Sequence, residues 1–232
     1  MRLSSQYAVD CGPLSSGMDG CNGGNSKGMW DWYKTAGVVD DDDYPYTSGG
    51  TGRVGECQDK TSRSMVIQTR TLTTEDEVLN ALQTQPLVGN FAVWSPMFSF
   101  YSFGMIRPGD YQCWPNGTPN HSMAIVGVDL IGEGETVTVE QRQLYARYRN
   151  SYDPDGGCHG DDEFIHDHYP MYCMWYETHY VDKVFPSGQY YKVQNSWGAD
   201  WGHVGFAYFE KVDLDQHPDG NCSMFKEGYG VF

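Results

Sequence analysis

A histidine and a distant asparagine are the residues of this chain best suited to act together in catalysis. His121 opens the apolar run HSMAIVGV, and Asn195 is followed by Ser196, Trp197 and Gly198. An asparagine amide oxygen can accept a hydrogen bond from one imidazole nitrogen and so fix the tautomer of the ring. The other ring nitrogen is then free to take the proton of a nucleophile. The pattern predicts a histidine base that Asn195 orients and Trp197 shields from water.

Helical patterns come first in the chain, and strand patterns follow. A glycine-rich loop leads into a helix that ends at Gly37, with its apolar face on Met29, Trp30, Tyr33 and Ala36. Thr74 and Glu77 form a capping-box pattern at the start of a second helix. The runs PLVGNFAVW, FSFYSFGMI and HSMAIVGVDL read as strands, as do the runs on either side of NSWG. We predict an α+β chain of two lobes, helical over 1–85 and strand-rich over 86–232.

Composition argues against several classes of partner. The formal net charge is −16, so a nucleic-acid backbone or an anionic membrane surface would be repelled. No run of 18 apolar residues exists, so no transmembrane helix is predicted. Nothing in the sequence calls for a cofactor or a metal ion, and we expect neither.

Cysteines and glycosylation sequons indicate an oxidising compartment. The chain has 7 cysteines and N-x-S/T sequons at Asn116, Asn120 and Asn221. Its first residues, MRLSSQYAVDC, lack the apolar region of a signal peptide, which suggests that a segment has been removed from the front. We predict a lysosomal or secreted glycoprotein. The Asn120 sequon should be unused in an active protein, because a glycan there would obstruct the cleft beside His121.

Several segments, in a consistent order, resemble the papain family of cysteine peptidases. They are LSSQYAVDC, GCNGG, YPY, the cathepsin B- and C-like PLVGNFAVWSPMFSFYSFGMI, NHSMAIVGV and VQNSWGADWGHVGFAYF. The resemblance covers 3–130 and 188–232, and the pattern NSWG-x-x-WG-x-x-G after a histidine strand is its most specific part. It implies a papain-like two-lobed fold, with an incomplete helical lobe and an antiparallel β-barrel-like lobe.

The same resemblance implies roles for individual residues. His121 matches the general base and acid, Asn195 its orienting partner, and Trp197 the aromatic shield. Gly23 and Gly24 match a backbone edge that pairs with an extended peptide or protein substrate. The residues expected near a substrate side-chain pocket are Asn25, Ser26, Asn90, Pro119 and Ser122.

The family's nucleophile has no counterpart in this sequence. That cysteine belongs to a Cys-Gly-Ser-Cys-Trp run upstream of LSSQ, where a helix N-terminus lowers its pKa, and the oxyanion-hole glutamine is missing with it. Met1 lies beyond the place of that run, and removal of the family's central helix should expose apolar surface on the 26–37 helix. Two hypotheses remain open. The chain is the His/Asn-bearing portion of a papain-like cysteine endo- or exopeptidase, whose nucleophile lies on an N-terminal piece that was cleaved off or is missing from the gene sequence, or it is an inactive binding or structural protein.

The cysteine count also indicates that an N-terminal segment of the family pattern is missing. The resemblance pairs Cys11 with Cys57 and Cys113 with Cys222. Cys158 and Cys173 both lie in 131–187, outside the family pattern, and we expect them to pair with each other. Cys21 is then left over, and its expected partner is an N-terminal peptide chain linked to it by a disulfide. Cys21 is a poor candidate for the nucleophile itself, because no helix N-terminus or matching motif supports it.

The segment 131–187 is long and polar, and it is rich in His and Asp. A zinc site is conceivable there, but the spacing fits no standard pattern. We favour a disulfide-clamped surface insertion, placed to shape or cover the cleft.

Overall fold

Five helices, mostly short, occupy the first part of the chain. The computed structural model describes residues 2–60, 63, 68–110, 112–114, 117–131, 136–148, 172–184, 187–226 and 229–231. The helices are α1 (Ser5–Cys11), α2 (Ser26–Ala36), α3 (Ser48–Thr51), α4 (Glu75–Leu82) and α5 (Ser95–Ser99). Three 3-10 turns accompany them, at Leu14–Ser16, Gly20–Asn22 and Asn221–Ser223.

Local signals explain where the two longest helices begin and end. Asn25 accepts a hydrogen bond from the backbone N–H of Gly28 and so caps the start of α2, while Gly37, at φ 77°, ends it. Thr74 and Glu77 form both hydrogen bonds of a capping box at the start of α4. The predicted helices and the predicted capping box are therefore confirmed.

Nine strands form one large sheet and one separate pair. They are β1 (Thr69–Thr71), β2 (Leu87–Phe91), β3 (Met105–Ile106), β4 (His121–Ile131), β5 (Thr136–Tyr148), β6 (Tyr172–Val184), β7 (Gly188–Gln194), β8 (Phe206–Glu210) and β9 (Tyr229–Val231). The large sheet has the order β1-β9-β2-β4-β7-β8-β3. Its pairs are antiparallel except β3 with β8, which run parallel, so the expected antiparallel lobe contains a mixed sheet.

The main core lies on one face of this sheet. Phe91 on β2, Ile125 on β4, Tyr191 on β7 and Phe209 on β8 have no exposed surface, and Val78 of α4 packs with them. Alternation along each strand places these side chains on a common face. The middle of the sheet, where β4 and β7 pair, therefore packs on a buried hydrophobic core.

The helical part has a smaller core. Tyr33 and Val38 are buried there, and α1 and α2 supply half-buried neighbours such as Met29 and Trp30. Tyr33 is the one residue of α2 that is fully buried. The apolar face of α2 is therefore only partly covered, as the predicted loss of a neighbouring helix implies.

The strand prediction for FSFYSFGMI is wrong over most of its length. Residues Ser95–Ser99 form α5, and only Met105–Ile106 are in a strand. A proline in the first turn favours the helix. Phe98 and Tyr101 recur at helical spacing, and both rings pack against Trp201.

The segment 131–187 contains a two-stranded sheet of its own. β5 and β6 pair along their whole length, from Thr136 opposite Val184 to Tyr148 opposite Tyr172. The expected Cys158–Cys173 disulfide lies outside the described residues, because Cys158 is not among them. Within the described part of the chain, no group of three or more His, Cys, Asp or Glu side chains could hold a metal ion.

Candidate active site

His121 and Asn195 meet where β4 begins and β7 ends. The two strands pair with Ala124 opposite Gln194, so the start of one lies beside the end of the other. Nε2 of His121 lies 2.9 Å from Oδ1 of Asn195. The backbone N–H of Ser196 donates to the same oxygen at 2.8 Å, which fits an acceptor at that position. His121 must therefore donate from Nε2, and Nδ1 is left as the proton acceptor.

Aromatic rings surround this hydrogen bond. The Trp197 ring lies 4.9 Å from the His121 ring, and Phe98 of α5 lies 6.2 Å from it. Trp197 also packs edge-on against Trp201 at 5.4 Å. These rings restrict water around the His–Asn pair and hold the imidazole in one orientation.

A tight turn fixes the backbone of Asn195. Its N–H donates to the carbonyl of Gly205 at 3.0 Å, and the N–H of Gly205 donates to the carbonyl of Trp201 at 2.8 Å. Gly205 has φ 87°, in the region that glycine enters without steric cost. Asn195 is buried, and its Nδ2 has no hydrogen-bond partner among the described residues.

A cavity of about 370 Å³ opens on one side of His121. Every residue that the sequence analysis assigned to substrate binding lines it. The full lining is Gly23, Gly24, Asn25, Ser26, Asn90, Pro119, Asn120, His121, Ser122 and Ser196. Trp197 is not part of this lining and lies against the His121 ring instead.

Asn90 joins the two halves of this cavity. Its Oδ1 accepts hydrogen bonds from Ser26 of α2, at 3.0 Å, and from Ser122 of β4. Gly23, at φ 110°, and Gly24 present exposed backbone on the opposite wall. The arrangement offers backbone groups to an extended chain and polar side chains at the base.

Asn120 positions His121, a role that the sequence analysis missed. Its Nδ2 donates to the Val93 carbonyl at 2.9 Å, and its Oδ1 accepts from the Val93 N–H at 3.0 Å. This two-bond link pins the residue before His121 to the chain that follows β2. In the sequence, Asn120 was visible only as part of a sequon, and no pattern signalled the link.

The other sequon within the described residues is inaccessible in the folded chain. Asn221 is 2% exposed, and its Nδ2 donates to the Ile106 carbonyl at 2.7 Å. The side chain of this sequon is therefore buried and hydrogen-bonded in the folded chain. Asn116 lies outside the described residues.

None of the described cysteines supplies a thiol to the cavity beside His121. Disulfides join Cys11 to Cys57 and Cys113 to Cys222, the pairs that the resemblance implied. Cys21 is exposed and unpaired, and it does not line the cavity beside His121. The site thus brings together an imidazole, the amide that accepts its hydrogen bond and a cavity, and none of the residues that line this cavity is a cysteine.

Two further cavities continue this cleft between α2 and the sheet. One, of about 340 Å³, has an apolar wall of Met29, Trp30, Val88, Met123 and Ala124. The other, of about 300 Å³, lies towards α1. Trp30 Nε1 is buried without a hydrogen-bond partner among the described residues, like Asn195 Nδ2. The two cavities form an apolar groove beside His121 and Asn195.

Comparison with known proteins identifies the family. A family model described as papain family cysteine protease matches residues 1–181. The KDEL-tailed cysteine endopeptidase CEP2 of Arabidopsis thaliana is 25% identical over 97% of this chain and 45% of its own length. A cathepsin L-like proteinase of Phaedon cochleariae is 31% identical over 71% of this chain and 47% of its own length. The chain thus spans less than half of either relative.

Solved structures agree on the fold. The proform of the ragweed pollen allergen Amb a 11, a cysteine protease, superposes with a TM-score of 0.60 at 19% identity, over 100% of this chain and 52% of that one. The bromelain protease of Ananas comosus gives 0.59 at 19% identity, over 99% of this chain and 77% of its own. Within the described residues, no helix is long and apolar enough to cross a membrane. Because the family model matches most of its residues, this chain belongs to the papain family of cysteine proteases.

Proposed function

We propose that this chain is the His121- and Asn195-bearing part of a cysteine peptidase, and that a segment outside the given sequence supplies the nucleophilic thiol. The observation that carries the proposal is the Nε2–Oδ1 hydrogen bond of 2.9 Å, which leaves Nδ1 as the proton acceptor of His121, a residue that lines the cavity. That geometry suits a base whose partner is a thiol or a hydroxyl.

The chemistry would follow from this placement. With its proton taken by Nδ1, the thiolate attacks the peptide carbonyl carbon, and the leaving amine receives that proton from His121. A thioester remains on the enzyme. His121 then removes a proton from water, which hydrolyses the thioester and restores the thiol. Peptides held against Gly23 and Gly24 are the substrate class that the cleft favours.

The apolar groove supports a second segment as the source of the thiol. Its wall contains Met29, Trp30 and Met123, and burial of such side chains against a partner is favourable. Gly20 and Gly23, on either side of the exposed Cys21, line the adjoining cavity, so a disulfide from Cys21 could anchor the segment there.

Intact mass of the native protein, with and without reduction, tests the proposal. A tethered segment should give a mass above 26.2 kDa that falls to this chain plus a smaller peptide when disulfides are reduced. The unreduced protein should also react with a thiol-alkylating peptide, and the label should map to the smaller chain.

Matched histidine variants make the assay specific. His121→Ala should abolish hydrolysis of a fluorogenic peptide, whereas the exposed His217→Ala should leave it unchanged. The proposal would be contradicted by a single species whose mass changes on reduction only by the hydrogens added to its own disulfides. In that case Cys21 would also be a free thiol, and no label would be attached in the cleft. The same result would favour the second candidate, an inactive binding protein.

That second candidate is motivated by one observation. The peptide-sized cavity beside His121 is intact, although none of its lining residues is a cysteine. A binding protein would retain affinity for extended peptides after His121→Ala.

We also place the protein in a lysosomal or secreted compartment. The Cys11–Cys57 and Cys113–Cys222 disulfides support an oxidising environment. Fractionation of the producing cells, with the non-reduced protein as the probe, tests this assignment.

A further inference from the structure

A second histidine, His203, lies in the turn that holds Asn195, and a tyrosine of the next strand fixes its ring. Nδ1 of His203 lies 2.7 Å from the hydroxyl oxygen of Tyr208 on β8. The ring of Phe103 packs edge-on against the imidazole at 6.2 Å. The sequence analysis gave His203 no role, because it occupies a variable position of the pattern NSWG-x-x-WG-x-x-G.

The turn adopts a backbone conformation that its surroundings must maintain. Gly202, Val204 and Gly205 have φ of 61°, 54° and 87°. A β-branched residue persists in the left-handed region only where other contacts hold it there. Two backbone hydrogen bonds between His203 and Phe206, of 2.9 and 3.1 Å, close the turn. The contact between the imidazole of His203 and β8 ties the turn back onto the strand that follows it.

The same turn connects His203 to the candidate active site. The N–H of Asn195 donates to the carbonyl of Gly205 at 3.0 Å. The side chain of Asn195 in turn accepts from Nε2 of His121. Movement of the turn would therefore displace the amide that orients the imidazole of His121.

A positive charge on His203 would be unfavourable in the closed turn. His203 is half-buried. The titratable side chains that face it or its partner from neighbouring elements are Lys192 and Tyr190 on β7, Tyr208 on β8 and Tyr101 after α5. Of these, Lys192 is the one charged at neutral pH, and its Nζ lies 4.3 Å from the centre of the Phe206 ring. Burial and the charge of Lys192 both lower the pKa of His203.

Proton uptake by His203 should therefore favour an open turn. In the neutral ring Nδ1 can accept from the Tyr208 hydroxyl, whereas in the imidazolium both nitrogens are donors. In the closed turn the imidazolium would be half-buried beside Lys192, and in an open turn water would hydrate it. Because the open form then binds the proton more readily, a fall in pH shifts the equilibrium towards it.

We infer that His203 is a positioning residue for Asn195, and that proton uptake by His203 in mildly acidic solution opens the turn 201–205 and weakens the orientation of His121. As a form of regulation, this inference rests on the proposed function. The base would be held in its working orientation near neutral pH and released from it in acid.

Amide hydrogen exchange of the full chain, read by NMR, measures this opening without any need for hydrolysis. Between about pH 7.5 and 5, on either side of the usual histidine pKa, the protection of the Asn195 and Gly205 N–H groups should fall about fivefold, the usual effect of one hydrogen bond. The N–H of Ala92, which donates to the Cys222 carbonyl at 2.8 Å in the core, is the reference. Asn195 and Gly205 should exchange faster than Ala92, because the turn opens without unfolding of the whole chain.

Variants assign the pH profile to His203. His203→Gln supplies an amide that can bond to the Tyr208 hydroxyl but does not titrate, so the protection of Asn195 should change little with pH. Tyr208→Phe removes the hydroxyl and should lower that protection even at neutral pH. The control His217→Gln replaces an exposed histidine and should keep the profile of the unaltered protein. His121 is present in every variant, so a profile caused by His121 would not change.

The pH dependence of kcat/KM for the two-part enzyme gives a second readout. Activity of the unaltered protein on a fluorogenic peptide should fall as the pH decreases from about 7.5 to 5. His203→Gln should keep about fivefold more of its own neutral kcat/KM in acid than His217→Gln does, the same factor as in the exchange experiment.

Several results would overturn the inference. They are protection of Asn195 that does not change with pH in the unaltered protein, the same fall in His203→Gln, or full protection in Tyr208→Phe. Protection of Asn195 equal to that of Ala92 at every pH would show that the turn opens only when the whole chain unfolds, and would also refute it. Failure of the two-part enzyme is a separate result, because it would appear in the mass and labelling experiment and would leave the exchange profile measurable.

Discussion

Val204 occupies a backbone conformation that should weaken the fold next to the catalytic pair. Its φ is 54°, and it is one of three non-glycine residues with positive φ among those described. β-Branched residues are the least suited to this region, because the side chain crowds the backbone. Val204 precedes Gly205, whose carbonyl holds the Asn195 backbone. We therefore predict that Val204→Gly stabilises the protein.

The size of the effect follows from two opposing contributions. The left-handed conformation costs an L-residue about 1–2 kcal/mol, which glycine avoids. Glycine in turn adds roughly 0.5–1 kcal/mol of unfolded-state entropy. The valine side chain is 64% exposed, so little buried surface is lost. A net gain of about 0.5–1 kcal/mol remains, which corresponds to roughly 1–4 °C in melting temperature for a protein of this size.

Urea and thermal unfolding followed by circular dichroism measure this gain. Val54→Gly is the matched control, since Val54 is 50% exposed and is not among the residues with positive φ. It should lower stability by about 0.5–1 kcal/mol. Val204→Asn should reproduce most of the gain, because asparagine tolerates this region. Equal shifts for Val204→Gly and Val54→Gly, or a loss of stability in the former, would refute the reasoning.

Two further predictions concern groups near the site. Burial and the charge of Lys192 lower the pKa of His203, so the unfolded chain takes up the proton first. Stability should therefore be fully present above the unfolded pKa of about 6.5 and fall as the pH drops below it. His203→Gln should flatten that slope in pH-dependent unfolding, while His217→Gln should not. Asn120→Ala removes both hydrogen bonds to Val93, and urea unfolding should show a loss of about 1–3 kcal/mol. The exposed control Asn22→Ala should lose less than 0.5 kcal/mol, about the usual limit for surface positions, and equal losses would exclude a positioning link.

The hydrogen-bonded pair of His121 and Asn195 was predictable because its geometry follows from short-range patterns. An apolar run that begins with His121 must be a central strand, and Asn195 closes a second run of the same kind. Two neighbouring antiparallel strands bring the start of one to the end of the other. The pairing of β4 with β7 was therefore the one long-range fact needed, and the resemblance supplied it.

The parts that were missed depend on contacts between distant segments. FSFYSFGMI alternates in a way that suits a strand, but its first two residues end helix α5, and Phe98 and Tyr101 pack on Trp201. Asn221 reads as a surface sequon, yet its amide fills a buried site against Ile106. Single-sequence patterns do not report such partners, because tertiary contacts override local preference.

The burial and the unpaired Nδ2 of Asn195 bear on the choice between a catalytic and a binding role for the chain. Its side chain is 7% exposed, and Nδ2 has no partner among the described residues, a situation that costs about 1–3 kcal/mol. Replacement of a buried polar pair by apolar groups of similar shape is often neutral or stabilising. A protein that used the cleft only for binding would gain stability from such a replacement. Retention of the Nε2–Oδ1 hydrogen bond in spite of this cost is what the proposed role of Asn195 in orienting His121 leads us to expect.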